Sequence, residues 1–252
     1  MAVLNSVVDK LVSFWTHKFI RKYLKWFFLC VSFTGSLLKE LDVVPKTYFS
    51  NRRNIFNLYF VKISWSWNLV LLLPFIFLSN SYNRNLTFVL KRLLSLVVAT
   101  AIWYLCTESF FYIEDITGEC YESESVRVVL GKFNTKAECR KAGFLWNGFD
   151  ISGHSFILAY STLIIVEEMD SMLYLVQQRR TAFLDVLYVT LNAIVVLWIW
   201  MFGCTSVYFH DTIHKVLGTL FGILGWYVSY KVWYPKPFSP GLPPLPSEQK
   251  YH

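Results

Sequence analysis

Six apolar stretches separated by polar gaps constrain this chain more than any other feature. They lie near Tyr23–Leu38, Phe56–Leu78, Leu93–Phe111, Phe149–Val166, Phe183–Phe202 and Lys215–Tyr234. A helix needs roughly 20 mostly apolar residues to cross a bilayer, because the hydrocarbon core holds no water to satisfy an open backbone. The second, fifth and sixth stretches meet that requirement on hydropathy alone. The first is short and holds Lys25, whose ammonium has to snorkel to the interface, and the fourth ends against Glu167 and Glu168. Composition agrees. Only 16% of the residues are charged and 55% are hydrophobic, where a soluble domain carries about a quarter charged. This balance argues against a disordered chain, a coiled coil and a soluble globular enzyme. The net charge of +7 sits in the gaps between apolar runs, which reads as juxtamembrane Lys and Arg and not as a nucleic-acid surface. The expected fold is all-α: a polytopic membrane bundle of about six helices over residues 1–234, with a loop at 112–148 and a proline-rich tail at 235–252.

Lys10, Lys18, Arg21 and Lys22 precede the first full run, so the N-terminus is expected in the cytoplasm, and six spans return the C-terminus to the same side. No signal-peptide cleavage site is expected after that run. The 112–148 loop is then exoplasmic and holds Cys120 and Cys139. An oxidising lumen would let the two bond; two free thiols is the equal alternative. The tail carries six of the eight prolines and should be extended polyproline II. A plain extended tail is the default, with a docking strap or a partner ligand as alternatives.

The histidines carry the candidate chemistry. His17 and His252 lie in polar terminal segments and look incidental. His154 follows Asp150-Ile151-Ser152-Gly153 and opens the fourth helix, while His210 follows Val207-Tyr208-Phe209 at the end of the fifth. Helix four begins, and helix five finishes, on the same side of the membrane. The two imidazoles therefore share one face despite their separation in sequence. One can attack or take a proton while the other donates to the leaving group. Gly153 would let a substrate oxygen approach closely, with Ser152 beside it as a second substrate contact. The bland reading is that each His anchors its helix at the interface; a facing pair beside Ser-Gly-His outweighs it. His210 and His214, four apart with Asp211 between them, resemble the H-E-x-x-H zinc pattern. That pattern needs a third ligand and has Glu where Asp211 stands, so neither metal nor cofactor is expected. Lys62, Asn68, Glu108, Asp185 and Asn192 lie within spans and should face the bundle or an interface as interhelical glue. A transporter would use them as a path, but matching Gly/Pro-broken segments are not apparent.

Several longer runs point to a family. Gly35-Ser36-Leu37-Leu38-Lys39-Glu40-Leu41, Phe149 to Phe156, Ile165-Val166-Glu167-Glu168-Met169, Trp233-Tyr234-Pro235-Lys236 and Phe238 to Pro244 together span nearly the whole chain. In these runs the sequence resembles the fat storage-inducing transmembrane family. The resemblance implies an endoplasmic-reticulum protein of six spans with both termini cytoplasmic. It implies a luminal site, related to the lipid phosphate phosphatases, that cleaves fatty acyl-CoA to acyl 4'-phosphopantetheine and adenosine 3',5'-bisphosphate. It further implies binding of diacylglycerol and triacylglycerol and a role in lipid-droplet formation. The family's catalytic histidines fall on His154 and His210. The wider phosphatase pattern is not fully kept. Its Lys/Arg/Pro motif has no counterpart, Thr205-Ser206 stands where Ser-Arg precedes the second His, and His214 stands where an Asp follows. A phosphate grip would have to come from Lys46, Arg52, Arg53, Arg127, Lys132, Arg140 or Lys141, which share that face. The competing reading is a non-enzymatic protein that binds neutral lipid and partitions it into droplets.

Overall fold

A computed structural model describes residues 2–81, 86–122, 133, 135–176 and 180–244. The helices are α1 (Ala2–Thr16), α2 (Lys18–Glu40), α3 (Ser64–Ser81), α4 (Leu86–Thr117), α5 (Lys136–Lys141), α6 (Gly153–Glu168), α7 (Ser171–Leu175), α8 (Ala182–Tyr208) and α9 (Thr212–Tyr227). Two short strands, β1 (Glu119–Tyr121) and β2 (Leu145–Asn147), pair antiparallel with Cys120 opposite Trp146. Single π-turns at Asn57–Val61 and Val228–Trp233 precede α3 and extend α9. The fold is all-α apart from that small hairpin.

α6 is the axis, with α2, α3, α8 and α9 packed around it. Every residue from Ser155 to Glu168 is buried, as expected of a helix that is apolar on all sides. Its 16 residues span about 24 Å, less than the ~30 Å hydrocarbon core. Neighbouring helices enclose it, so it need not meet lipid along its length, and this accounts for the shortness of the fourth apolar stretch. Small residues set the close approach of its neighbours. A Cβ on Gly218 or Gly222 of α9 would lie 2.3 Å from Ser152 O or 2.7 Å from Phe156 O. A Cβ on Gly35 of α2 would lie 2.7 Å from Ser206 Cβ of α8. Backbones meet here because nothing stands between them.

Among the described residues two helices, α4 with 32 residues and α8 with 27, are long and apolar enough to cross a membrane. Their outer faces expose Leu90, Leu94, Val97, Leu105, Val196 and Trp200. The interior is where polarity collects. Asn68 donates to Ser161 at 2.5 Å and accepts from Trp198 at 3.1 Å, tying α3 to α6 and α8. Asn192 accepts from Trp15 at 2.6 Å and so fastens α1 to α8, while Asp185 pairs with Arg180 at 2.8 Å. Glu108 is instead exposed on α4.

Helices occupy all six of the expected stretches, with differences that matter. The second is broken at Lys62–Ile63, and the third runs on to Thr117 instead of ending at Phe111. The 112–148 region is consequently shorter as a loop and more structured: β1, α5 and β2 are pinned by the Cys120–Cys139 disulfide and the Lys136–Glu114 ion pair. Residues 235–244 are not a free tail. Arg92 donates to Gly241 O, Lys91 to Pro237 O at 3.1 Å, and Ser239 Oγ to Tyr234 O at 2.9 Å, so this segment straps back onto α4 and the end of α9. Arg127, Lys132 and His252 lie outside the described residues.

Candidate active site

The site forms where α6 begins and α8 ends. Ser152 caps α6, its Oγ accepting from Ser155 N at 3.3 Å and Ser155 Oγ at 3.0 Å. Its own N–H donates to His214 O at 3.1 Å, locking the entry of α6 to the start of α9. Ser152 is fully buried. The Ser152 oxygen, expected to contact substrate, accepts at the cap as an N-cap serine's does, and Gly153 and His154 rather than Ser152 line the cavity.

On the other side α8 ends at Tyr208. Lys215 is fully buried and donates to Ser206 O at 2.7 Å, placing a cation on an open carbonyl at the negative end of the helix. Two residues past that end, His210 adopts φ +47°, a left-handed conformation that strains a non-glycine residue and persists only where its surroundings enforce it. They do so from two elements. Lys39 of α2 donates to His210 O at 2.6 Å, and His210 Nδ1 meets Asp150 Oδ2 at 3.3 Å. Burial alone would raise the Asp150 carboxyl. The bond to His210 and the positive charges of His210, His214 and Lys136 outweigh that and hold it below the ordinary carboxylate range.

Asp150, His154 and His210 line one cavity of about 670 Å³ between α3, α4 and α6. Its exposed lining holds Lys62 and Asp150 beside Ile63 and Phe111, and its more buried lining holds Trp65, Leu69, Trp103, Phe110 and Ile157. Trp65 stacks on Trp103 and on Tyr160, both at 5.9 Å, which makes that wall rigid as well as apolar. The His154 ring takes no hydrogen bond from the described residues. Lys62 lines the cavity too, brought there by the break between the π-turn and α3. Of the cations expected to grip phosphate, Lys46, Arg52, Arg53, Arg140 and Lys141 do not line it; Arg52 lies over the Phe209 ring at 6.0 Å, and its charge reaches His154. His214 packs edge-on against Phe149 at 4.6 Å, outside the cavity lining. Among the described residues no group of three His, Cys, Asp or Glu side chains could hold a metal ion.

Asp150 and Lys62 are the two site residues whose roles the sequence alone did not distinguish. Asp150 stands four positions before His154 in the same run, yet its partner is the other histidine. Lys62 sits inside an apolar stretch and reads as helix interior until the break is seen.

Fold and site together define an α-helical membrane protein with two histidines and a carboxylate at the mouth of an apolar slot. The model of the fat storage-inducing transmembrane protein family matches residues 45–187 and 175–230, and the chain belongs to that family. A Danio rerio relative named acyl-coenzyme A diphosphatase FITM2 is 62% identical over 247 residues, covering 98% of each chain. The Homo sapiens protein of the same name is 49% identical over 230 residues, 89% of this chain and 87% of the human one. A Drosophila melanogaster relative of that name is 33% identical, covering 84% of this chain and 57% of its own. No solved structure matches the chain.

Proposed function

We propose that this protein is an acyl-coenzyme A diphosphatase, the activity named for its relatives, and that His154 and His210 perform it. The observation that carries the assignment is one cavity in which both histidines and Asp150 rim an aromatic-walled slot. A fatty acyl-CoA is built the same way, with an acyl chain that seeks apolar walls and a phosphoanhydride that stays with polar side chains.

Asp150 facing His210 Nδ1 keeps a proton on that nitrogen and leaves Nε2 with its lone pair. Nε2 attacks one phosphorus of the anhydride, the bridging P–O bond breaks, and the bisphosphate departs as its anion. The bond formed is a phosphohistidine. The His154 imidazole takes a proton from water, whose oxygen attacks the same phosphorus and breaks the P–N bond, returning His210 to its starting state; His154 then releases that proton to solvent. The products are acyl 4'-phosphopantetheine and adenosine 3',5'-bisphosphate. Lys62 supplies the positive charge at the rim that the phosphatase pattern takes from its missing Arg. The Asp that follows the second His in that pattern is replaced in role by Asp150, from the entry to α6.

The same slot would take the acyl chains of diacylglycerol and triacylglycerol. The proposed setting is the endoplasmic-reticulum membrane, with six spans, cytoplasmic termini and the cavity opening to the lumen. The Cys120–Cys139 disulfide on the histidine side supports an oxidising compartment there. The assignment is tested by turnover of oleoyl-CoA by purified full-length protein, comparing wild type with His154→Ala and His210→Ala. Loss of acyl-phosphopantetheine release in both is expected; wild-type release from either removes that residue's role.

A further inference from the structure

A second cavity lies at the opposite end of α6, thirteen residues from His154 at Glu167, or about 20 Å along the helix. Its volume is about 730 Å³, and four cations line it against two carboxylates. The carboxylates are already committed. Glu167 pairs with Arg21 at 3.2 Å and Lys231 at 2.7 Å, and Asp170 pairs with Arg21. Lys22 and Lys25 have no carboxylate partner among the described residues; their ammonium groups lie over aromatic rings, Lys25 at 5.8 Å from Tyr227 and 6.0 Å from Trp226. Two unneutralised cations therefore face the cavity.

Trp226 lines the cavity, is only 4% exposed, and its Nε1–H has no acceptor among the described residues. An orphaned buried donor costs about 1–3 kcal/mol, and Lys25 and Lys231 both lie on the face of the same indole. A donor with two nearby ammoniums and no acceptor among the described residues calls for an anionic oxygen. Trp15, Leu173, Leu242 and Pro243 give the lining an apolar part beside the hydroxyl-bearing Thr16 and Tyr227. Trp26 and Phe27 are exposed on the neighbouring surface of α2, so the cavity adjoins the face a bilayer would cover. A phosphate on an amphiphile fits this combination better than a small soluble anion. A cationic choline head would meet only carboxylates already spent on Arg21 and Lys231.

We propose that this cavity binds the phosphate headgroup of an anionic membrane lipid, with Lys22, Lys25 and Trp226 Nε1–H as its donors. The site is separate from the histidine cavity and does not depend on the function assigned there.

Native mass spectrometry of the full-length protein released from detergent, with phosphatidate and phosphatidylcholine at equal concentration, tests it. Wild type should retain phosphatidate about tenfold over phosphatidylcholine, and the double variant Lys22→Gln, Lys25→Gln should lose about tenfold of that retention. Trp226→Phe keeps a ring but removes the N–H, and should lose about threefold. Oleoyl-CoA turnover should be unchanged in the lysine variant. Equal retention of the two lipids by wild type, or undiminished phosphatidate in the lysine variant, would overturn the site. Glycerol 3-phosphate that displaces phosphatidate at equal concentration would overturn the lipid as source and leave a soluble phosphate.

Discussion

The two ends of the α6–α9 pair use charge in opposite ways. At the C-terminal end of α6, Glu168 is buried and answered: Arg92 meets it at 2.6 Å and Tyr230 donates to it at 2.5 Å. At the N-terminal end, the His154 ring has no hydrogen-bond partner among the described residues, and His210 is held in a strained backbone by one carboxylate and one lysine. A buried ion pair closed on itself holds helices together. Imidazoles positioned by their backbone and left open at a cavity rim are arranged for something that arrives. The difference separates structural polarity from the polarity proposed to react inside one bundle.

The contrast breaks most visibly at His210. His210→Ala should lower oleoyl-CoA turnover about ten-thousand-fold, with the folded fraction unchanged by size exclusion. At the other end the loss should be of protein, not of chemistry. Glu168→Gln leaves Arg92 buried with its charge unanswered and should cost about 3–5 kcal/mol, read as a lower melting temperature in detergent while turnover per folded molecule persists.

Asp150→Asn sharpens the comparison from the reactive side. It removes the charge that orients His210 and should lower turnover about 100-fold with little change in melting. Because contact with His210 holds Asp150 below the ordinary carboxylate range, its contribution is complete above about pH 4 and fades only as pH falls through its own lowered value. Asp150 should therefore stay ionised from neutral pH down to about pH 5, read from its carboxylate infrared band in the wild-type minus Asp150→Asn difference spectrum. Smallest is Gly218→Ala. The new Cβ would lie 2.3 Å from Ser152 O and should force α9 from the α6 entry at about 1–3 kcal/mol, measured as a modest fall in melting temperature together with reduced turnover.

Much of this was legible in the sequence because a bilayer enforces simple rules. Long apolar runs located the main helices, and the alternation of their ends brought His154 and His210 to one face. What escaped was set by contacts between distant segments. The break at Lys62 follows from a π-turn that hydropathy does not register. The union of Asp150 with His210 depends on how the α6 entry packs beside the end of α8. α1 buries only Val8, Val12 and Trp15, a stripe at helical spacing too narrow to register as an apolar stretch, although its periodicity is present in the sequence. The strap formed by residues 235–244 depends on Arg92, which lies more than 140 positions from its acceptor.

In the proposed mechanism His210 is the electron-pair donor to phosphorus and His154 serves the proton transfers. The most direct test of this mechanism is to mix His154→Ala protein with oleoyl-CoA carrying radiophosphorus at both anhydride positions, quench in base and map the labelled peptide. The leaving bisphosphate departs as an anion without much help, whereas water needs a base, so label should accumulate on His210. Label on any other residue, or wild-type turnover in the absence of the His210 imidazole, would contradict it.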